Sequence, residues 1–399
     1  MDNIFDSDLA QIPKELSLLL EILKTDEDNI QIPISMNEID WGKFLHLALH
    51  HRVYSLIYSK LKKLDKEWIP SYVIRILRQE YKENTFRMLL LTGEMEQISK
   101  LFTENKIPLL YLKGPVIAAD LYGDISLRTS RDLDVLIPIT DLKRVDELLL
   151  NFGYEREKRA SFLNEWKYRD HHVTYIHPQK NIHLEIHWRL QRRPSMEPNF
   201  FELWERKRLS KLTTYPVYFL GEEDLFLFLI SHGARHGWFR LRWLLDIDRN
   251  LRKGINIEKI NLLLKDYHNH NMLGQAIILA SQLLDTPIIG DMQIFTERNG
   301  SKKLARKALY FVKGTESLEE IMSTKDYKRY LYSLKSNKQK FLSILILFYP
   351  SKVDEKTLKL PKLLHFLYFP LRPLLWVWRK IVGKFSKKWN ENNTTTKIT

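Results

Sequence analysis

Asp132-Leu133-Asp134 leads into the apolar run Val135-Leu136-Ile137-Pro138, and no other stretch of the chain restricts the fold so tightly. Side chains two apart on a β-strand share a face, so a strand here aims both carboxylates at one small volume. Two such charges repel unless a cation sits between them. Hard oxygen ligands with that convergence suit Mg²⁺ or Mn²⁺, ions that keep some water ligands and bridge to substrate phosphates. The same spacing also occurs at ordinary strand starts and turns, where the carboxylates are hydrated or cap backbone donors. The flanking segments bear on which reading holds.

Upstream, Ile107 to Leu112 reads as a short buried strand that ends at Lys113-Gly114-Pro115 and is followed by a helical segment, Val116 to Tyr122. Gly114 lets the backbone approach a phosphate closely, and the helix start behind it presents free backbone donors and a positive dipole end. An ordinary strand-to-helix turn has the same composition. Downstream, alternation in His183-Leu184-Glu185-Ile186-His187-Trp188 puts His183, Glu185 and His187 on one face. If that strand lies beside the one carrying the Asp pair, Glu185 completes a three-carboxylate cluster able to hold two metal ions and deprotonate a hydroxyl between them. The alternative is a solvated outer face of an edge strand.

Together, Leu112-Lys113-Gly114, Arg128, Asp132 through Ile137, Gly153-Tyr154 and His183 through Trp188 resemble the uncharacterised bacterial nucleotidyltransferase family within the DNA polymerase beta-like superfamily. Asp40-Trp41 and His51-Arg52-Val53 resemble that family's helical N-terminal segment, and His232 through Asp246 its helical C-terminal one, so that roughly residues 35 to 255 are covered. The resemblance implies an α+β fold with a nucleotidyltransferase-type mixed sheet between N-terminal and C-terminal helical regions. It also implies Asp132, Asp134 and Glu185 as catalytic metal carboxylates for Mg²⁺ or Mn²⁺, with Lys113, Gly114, Arg128 and Ser130 contacting the nucleotide. The wider superfamily has Gly followed by Gly or Ser in its phosphate loop and reaches the Asp pair sooner. Here Pro115 follows Gly114 and has no N–H to donate, so Lys113 and Arg128 are expected to substitute by charge.

The implied reaction moves a nucleoside monophosphate from a nucleoside triphosphate to an unidentified hydroxyl-bearing acceptor, with pyrophosphate leaving. No Walker-type Gly-x-x-x-x-Gly-Lys-Ser/Thr sequence points to transfer of the terminal phosphate instead. The alternative from another class is a non-catalytic nucleotidyltransferase-fold binding or scaffold protein at the membrane surface. Nucleic acid is a further candidate partner, because the formal charge of +14 favours anionic ligands, although no reading motif accompanies it.

At 399 residues the chain is long enough for two or three cores of about 100 to 150 residues each. With 44% hydrophobic residues and few Gly or Pro it reads as globular and helix-rich. The absence of cysteine excludes a disulfide frame, a thiolate zinc site and a cysteine nucleophile. Met1 to Asp8 is acidic and shows no secretory pattern, so a reducing, cytoplasmic compartment is expected, with peripheral membrane contact through the C-terminus as the variant.

Periodicity divides the chain into an N-terminal helical region (1–105), the nucleotidyltransferase core (106–192), a C-terminal helical region (193–349) and a basic aromatic tail (350–399). Trp41 to Leu64 and Ser71 to Phe102 carry helical patterns, and an amphipathic helix from Asp141 to Phe152 ends at Gly153 in the C-cap position. His232 and His236 are neighbours on a helix face, with Arg235, Trp243 and Asp246 nearby. They read either as hydrogen-bonded histidines inside a bundle or as base or phosphate contacts. No Glu follows His232 as a zinc-protease motif requires.

In the tail, Pro370, Arg372 and Pro373 interrupt the apolar run Leu363 to Trp378, leaving pieces shorter than the roughly 20 residues of a spanning helix. Its aromatic and aliphatic groups either pack on the body with the lysines solvated or lie in the interface of an anionic leaflet.

Overall fold

The computed structural model describes residues 12–24, 38–63, 68–157, 170–267 and 270–395. The N-terminal part is helical: α1 (Lys14–Lys24), α2 (Trp41–His50), α3 (Tyr54–Leu61) and the long α4 (Ser71–Glu104). Asp40 starts α2 by accepting the Lys43 N–H at 3.0 Å. The helical pattern from Trp41 to Leu64, whose last residue lies outside the described ones, folds as two helices. Arg52 sits in the left-handed region (φ 55°) between them, and the turn docks on a distant helix. His51 Nδ1 accepts the Leu241 N–H and its carbonyl accepts the Arg242 N–H, both at 3.3 Å, so a tertiary contact overrides the local helical pattern.

The sheet begins with β1 (Leu110–Tyr111), a shorter strand than the expected 107–112 segment, and continues after α5 (Pro115–Tyr122) with β2 (Asp132–Leu136). α6 (Leu142–Asn151) ends just before Gly153, as its pattern implied. Then come β3 (Glu155–Arg156), β4 (His172–His177), β5 (Ile182–His187), the short α7 (Phe200–Glu205), β6 (Arg208–Leu209) and β7 (Tyr218–Phe219). The seven strands lie in the order β3-β4-β5-β2-β1-β7-β6, with β2 parallel to β5 and β1 parallel to β7 while the other pairs are antiparallel. The fold is α+β, with a mixed sheet flanked by helices. β6 and β7, from beyond residue 192, extend the sheet on its β1 side.

β2 occupies the middle of the sheet, where Leu133 and Val135 are wholly buried on the face opposite Asp134. In β5, Leu184 and Ile186 are buried in the same way. The following helices α8 (Glu222–Arg235), α9 (Leu241–Lys253), α10 (Ile257–Tyr267), α11 (His270–Leu284), α12 (Asn299–Lys313), α13 (Leu318–Ser323) and α14 (Lys325–Ser333) join the same hydrophobic cluster, which runs from Leu16 to Tyr330. The N-terminal helices, the sheet and these helices therefore share one core. Gly233 on α8 is required by that packing, since an added Cβ would lie 2.3 Å from the Trp238 ring.

α15 (Asn337–Leu347), α16 (Lys352–Thr357) and α17 (Tyr368–Thr395) follow. The interruption expected at Pro370 and Pro373 does not end α17. Pro370 falls in the first turn, where no intrahelical N–H is needed, and Pro373 removes a single ladder bond. Tyr368 and Leu375 form a separate small cluster with Leu360 and Leu371. Among the described residues, no helix is long and apolar enough to cross a membrane.

Candidate active site

The parallel register of β2 and β5 sets Asp132 opposite His183 and Asp134 opposite Glu185. Neighbouring strands share their pleat, so Asp134, Glu185 and His187 gather on one face of the sheet. His187 Nε2 lies 3.2 Å from Asp134 Oδ1 and 3.2 Å from Glu185 Oε2. β4 runs antiparallel on the other side of β5 and pairs His172 with His187, which adds a second convergence of donors, His171, His172 and His187.

Asp132 lines the same cleft but belongs to neither convergent group among the described residues. It is the first residue of its strand and is only half-buried, and the Ser130 hydroxyl donates to its carbonyl at 3.2 Å. In place of the anticipated three carboxylates the structure brings together two carboxylates and an imidazole. His171 and His172 were not singled out by the sequence reading, because their signal is a His-His step at a strand start, which is local and unspecific. Alternation places His187 on the correct face, where a site role and a solvated strand face are both open, and the structure sets it between the two carboxylates.

The electrostatics of the group are strongly coupled. Burial works against a charged His187, but hydrogen bonds to Asp134 and Glu185 outweigh it and raise its pKa. Burial likewise pushes Glu185 up, yet the His187 hydrogen bond and the nearby charges of His187, His172 and Lys113 hold it down at about 2. Lys113 Nζ lies 2.9 Å from Asp134 Oδ1. Burial would lower its pKa, and the charges of Asp134, Asp132 and Glu185 raise it instead. Asp134 is wholly buried, and its other oxygen, Oδ2, has no hydrogen-bond partner.

A buried carboxylate oxygen left unsatisfied is costly unless something binds it. With Glu185 and His187 beside it, the donor set fits a divalent cation, and the imidazole donor suits Mn²⁺ or another transition ion better than Mg²⁺.

Glu185 and His187, with Asp132 and Lys113, line a cleft of about 640 Å³ that is also lined by arginines, while Asp134 lies buried behind them. Arg52 comes from the α2–α3 turn, Arg235 from α8, Arg240 from the residue before α9 and Arg242 from its first turn. Burial and the neighbouring guanidinium groups push Arg52 and Arg242 down to about 9, and Arg235 and Arg240 to about 10. No ion pair joins any of the four to a carboxylate of the described residues, and the Arg242 guanidinium donates to the Thr129 carbonyl. Asp132, Asp246 and Glu197 offset part of this positive charge from a distance, and guanidinium groups that are not ion-paired keep donors suited to an anion with several oxygens.

Arg128, anticipated as one of the phosphate contacts, is placed differently. Its Nε and Nη2 donate to the two Asp246 oxygens at 2.8 and 2.9 Å, and the pair is buried. This fork ties the loop before β2 to α9 and leaves only Nη1 without a partner. Sequence separation hid it, since Asp246 lies 118 residues away.

Gly114 lies at φ 91° as the N-cap of α5, and any side chain there would be strained. An added Cβ would also stand 3.5 Å from Leu133. Ser130 and Lys113 both face the cleft. His232 and His236 also line it, with rings 4.7 Å apart and His236 stacked on Trp243. Burial, with the positive charges of Lys113 and Arg235 among the further causes, keeps both neutral.

A family model described as an uncharacterised nucleotidyltransferase matches residues 37–285. The matched span contains β2, β5 and Arg52, Arg235, Arg240 and Arg242, and it ends before α12. No curated protein matches the sequence.

Proposed function

The chain belongs to the uncharacterised nucleotidyltransferase family, and from that premise we propose that it transfers a nucleoside monophosphate from a nucleoside triphosphate to an acceptor hydroxyl bound in the cleft. The observation that carries this reading is the Asp134–Glu185–His187 group, of which Glu185 and His187 line one cleft together with Arg52, Arg235, Arg240 and Arg242, none of them ion-paired to a carboxylate of the described residues. The carboxylate–imidazole group suits a cation and the arginines suit a polyphosphate, which is the pairing that metal-assisted phosphoryl chemistry needs.

Asp134, Glu185 and His187 would hold the ion, with Asp132 beside them on the same strand face. A divalent ion there supplies Lewis-acid polarisation of the α-phosphate and neutralises charge on the triphosphate. Arg52, Arg240 and Arg242 bind the triphosphate oxygens and orient the α-phosphorus toward β2 and β5. Glu185, ionised, accepts the hydrogen bond of the acceptor hydroxyl and takes its proton as the oxygen attacks. A bond forms between that oxygen and the α-phosphorus, the bond to the bridging oxygen breaks, and pyrophosphate leaves against the arginines and Lys113.

The test follows the label. With nucleoside triphosphate carrying radioactive phosphorus at the α or the γ position and a pool of small hydroxyl compounds as acceptors, product should retain the α label and release the γ label as pyrophosphate. A γ-labelled product would make the protein a kinase and defeat the proposal.

A further inference from the structure

The exposed apolar groups of the described residues are concentrated at the C-terminal end. On α15, Phe341 is 61% exposed and Leu347 63%, and only Gln339 of that helix is buried. Leu363 before α17 is 89% exposed, and on α17 Leu374 is 66% and Trp378 62%. Isolated exposed apolar side chains are ordinary, but two adjacent elements that both present aromatic and aliphatic groups make a surface built for contact.

The arrangement of α17 explains why this face stays uncovered. Arg372 and Arg379 both reach Asp354, which is wholly buried, and Leu375 packs between them in the small cluster with Tyr368. That stripe holds α17 to α16. Leu374, Trp378 and Ile381 then fall on another stripe by the helical period and remain at the surface, as does Trp376.

Charge decides what covers it. Apart from Arg372 and Arg379, which pair with Asp354, the sequence from Lys356 to Asn390 has seven Lys and no Asp or Glu, and the Lys380 ammonium sits 3.8 Å over the Trp376 ring. A second copy of the chain would bring a like-charged face against this one. A nucleic acid would match the charge but would leave Leu347, Leu363 and Leu374 without an apolar partner. A surface of anionic headgroups above acyl chains matches both properties at once.

Next to this face lies a groove of about 480 Å³ lined by Leu342, Leu345, Phe348 and Phe369 on one side and Arg189 and Arg193 on the other. Arg193, Pro194 and Ser195 line both this groove and the catalytic cleft, so the surface adjoins the mouth of the cleft.

We propose that the exposed face of α15 and α17 docks the protein on an anionic lipid bilayer, lying in its interface rather than crossing it. This goes beyond the transfer reaction and does not depend on it.

The full chain is mixed with vesicles of phosphatidylglycerol and phosphatidylcholine, or of phosphatidylcholine alone, and sedimented without nucleotide or metal. Binding to the anionic vesicles is expected, with a loss of at least about tenfold when salt rises from about 0.1 to about 0.5 M. Trp376→Glu combined with Trp378→Glu should lose binding by at least about tenfold, and Lys380→Glu should weaken it. Both are surface changes, and circular dichroism melts confirm that the variants fold. The proposal is overturned if the folded wild-type chain stays in the supernatant with anionic vesicles, or if the double variant binds as well as wild type. Self-association in light scattering that the double variant abolishes, without any vesicle binding, would assign the face to a second copy and overturn it equally.

Discussion

Lys113 Nζ lies 2.9 Å from one oxygen of Asp134, while the other oxygen of that wholly buried carboxylate has no partner. The chain's own cation satisfies one oxygen of the carboxylate and leaves the other buried without a hydrogen-bond partner. Lys113→Met should remove this compensation and destabilise the metal-free protein by about 3 to 5 kcal/mol, the usual cost of breaking a buried pair from one side. A divalent ion should restore most of the loss, because it replaces the missing positive charge. Chemical denaturation with and without Mn²⁺ measures both effects. Equal stability of variant and wild type without metal would show that the pair carries little.

His187 touches both carboxylates, so its removal should affect the ion more than the fold around it. His187→Asn is expected to weaken Mn²⁺ binding on the order of tenfold or more, with a smaller effect on Mg²⁺, which does not favour imidazole. Titration calorimetry with each ion reports the difference. Unchanged Mn²⁺ affinity would remove His187 from the ligand set.

Asp134→Asn should abolish turnover and metal binding together, whereas Asp132→Asn should reduce turnover and retain part of the metal affinity, because Asp132 lies outside the convergent group. Calorimetry beside the α-label assay separates the two. Equal losses of metal affinity in both variants would place Asp132 among the ligands on the same footing.

The Arg128–Asp246 fork predicts a structural phenotype. Arg128→Ala leaves Asp246 buried and without its main cationic partner, and should cost about 3 to 5 kcal/mol in unfolding free energy. Arg52→Ala removes a guanidinium that feels the Asp132 charge but forms no ion pair with a carboxylate of the described residues. It should leave stability nearly unchanged and weaken triphosphate binding by about tenfold or more. If Arg128→Ala melts like wild type, the fork is not what joins the loop to α9.

Glu197 gives the fold a pH dependence away from the Asp134–Glu185–His187 group. It accepts the Leu190 and Gln191 N–H groups at 3.0 and 2.8 Å, yet burial pushes its pKa up to about 7 against the charge of Arg189 and those bonds. An unfolded carboxyl titrates near about 4.3. The folded chain therefore holds this proton more tightly, and this contribution to stability grows as pH falls from above 7 toward the unfolded value. Glu197→Gln lacks the ionisation, so the stability of the variant should change less between pH 5 and 8, as read from denaturant midpoints. Identical pH profiles would contradict the assignment.

Local patterning alone determined the short strand around Asp132 and Asp134, the alternating stretch from His183 to Trp188 and the face on which Glu185 and His187 lie, because a pleat repeats every two residues wherever the strand sits. It also determined the helix break at Gly153 and the basic, aromatic character of the tail. Tertiary structure decided that β5 lies beside β2 in the middle of the sheet, that His171 and His172 arrive there on β4, and that Asp132 stands outside the donor group. It also turned Arg128 toward Asp246 and gathered Arg52, Arg235, Arg240 and Arg242 around the cleft. Each of these depends on residues far apart in the chain. Their meeting is set by the packing of the shared core, which periodicity does not encode.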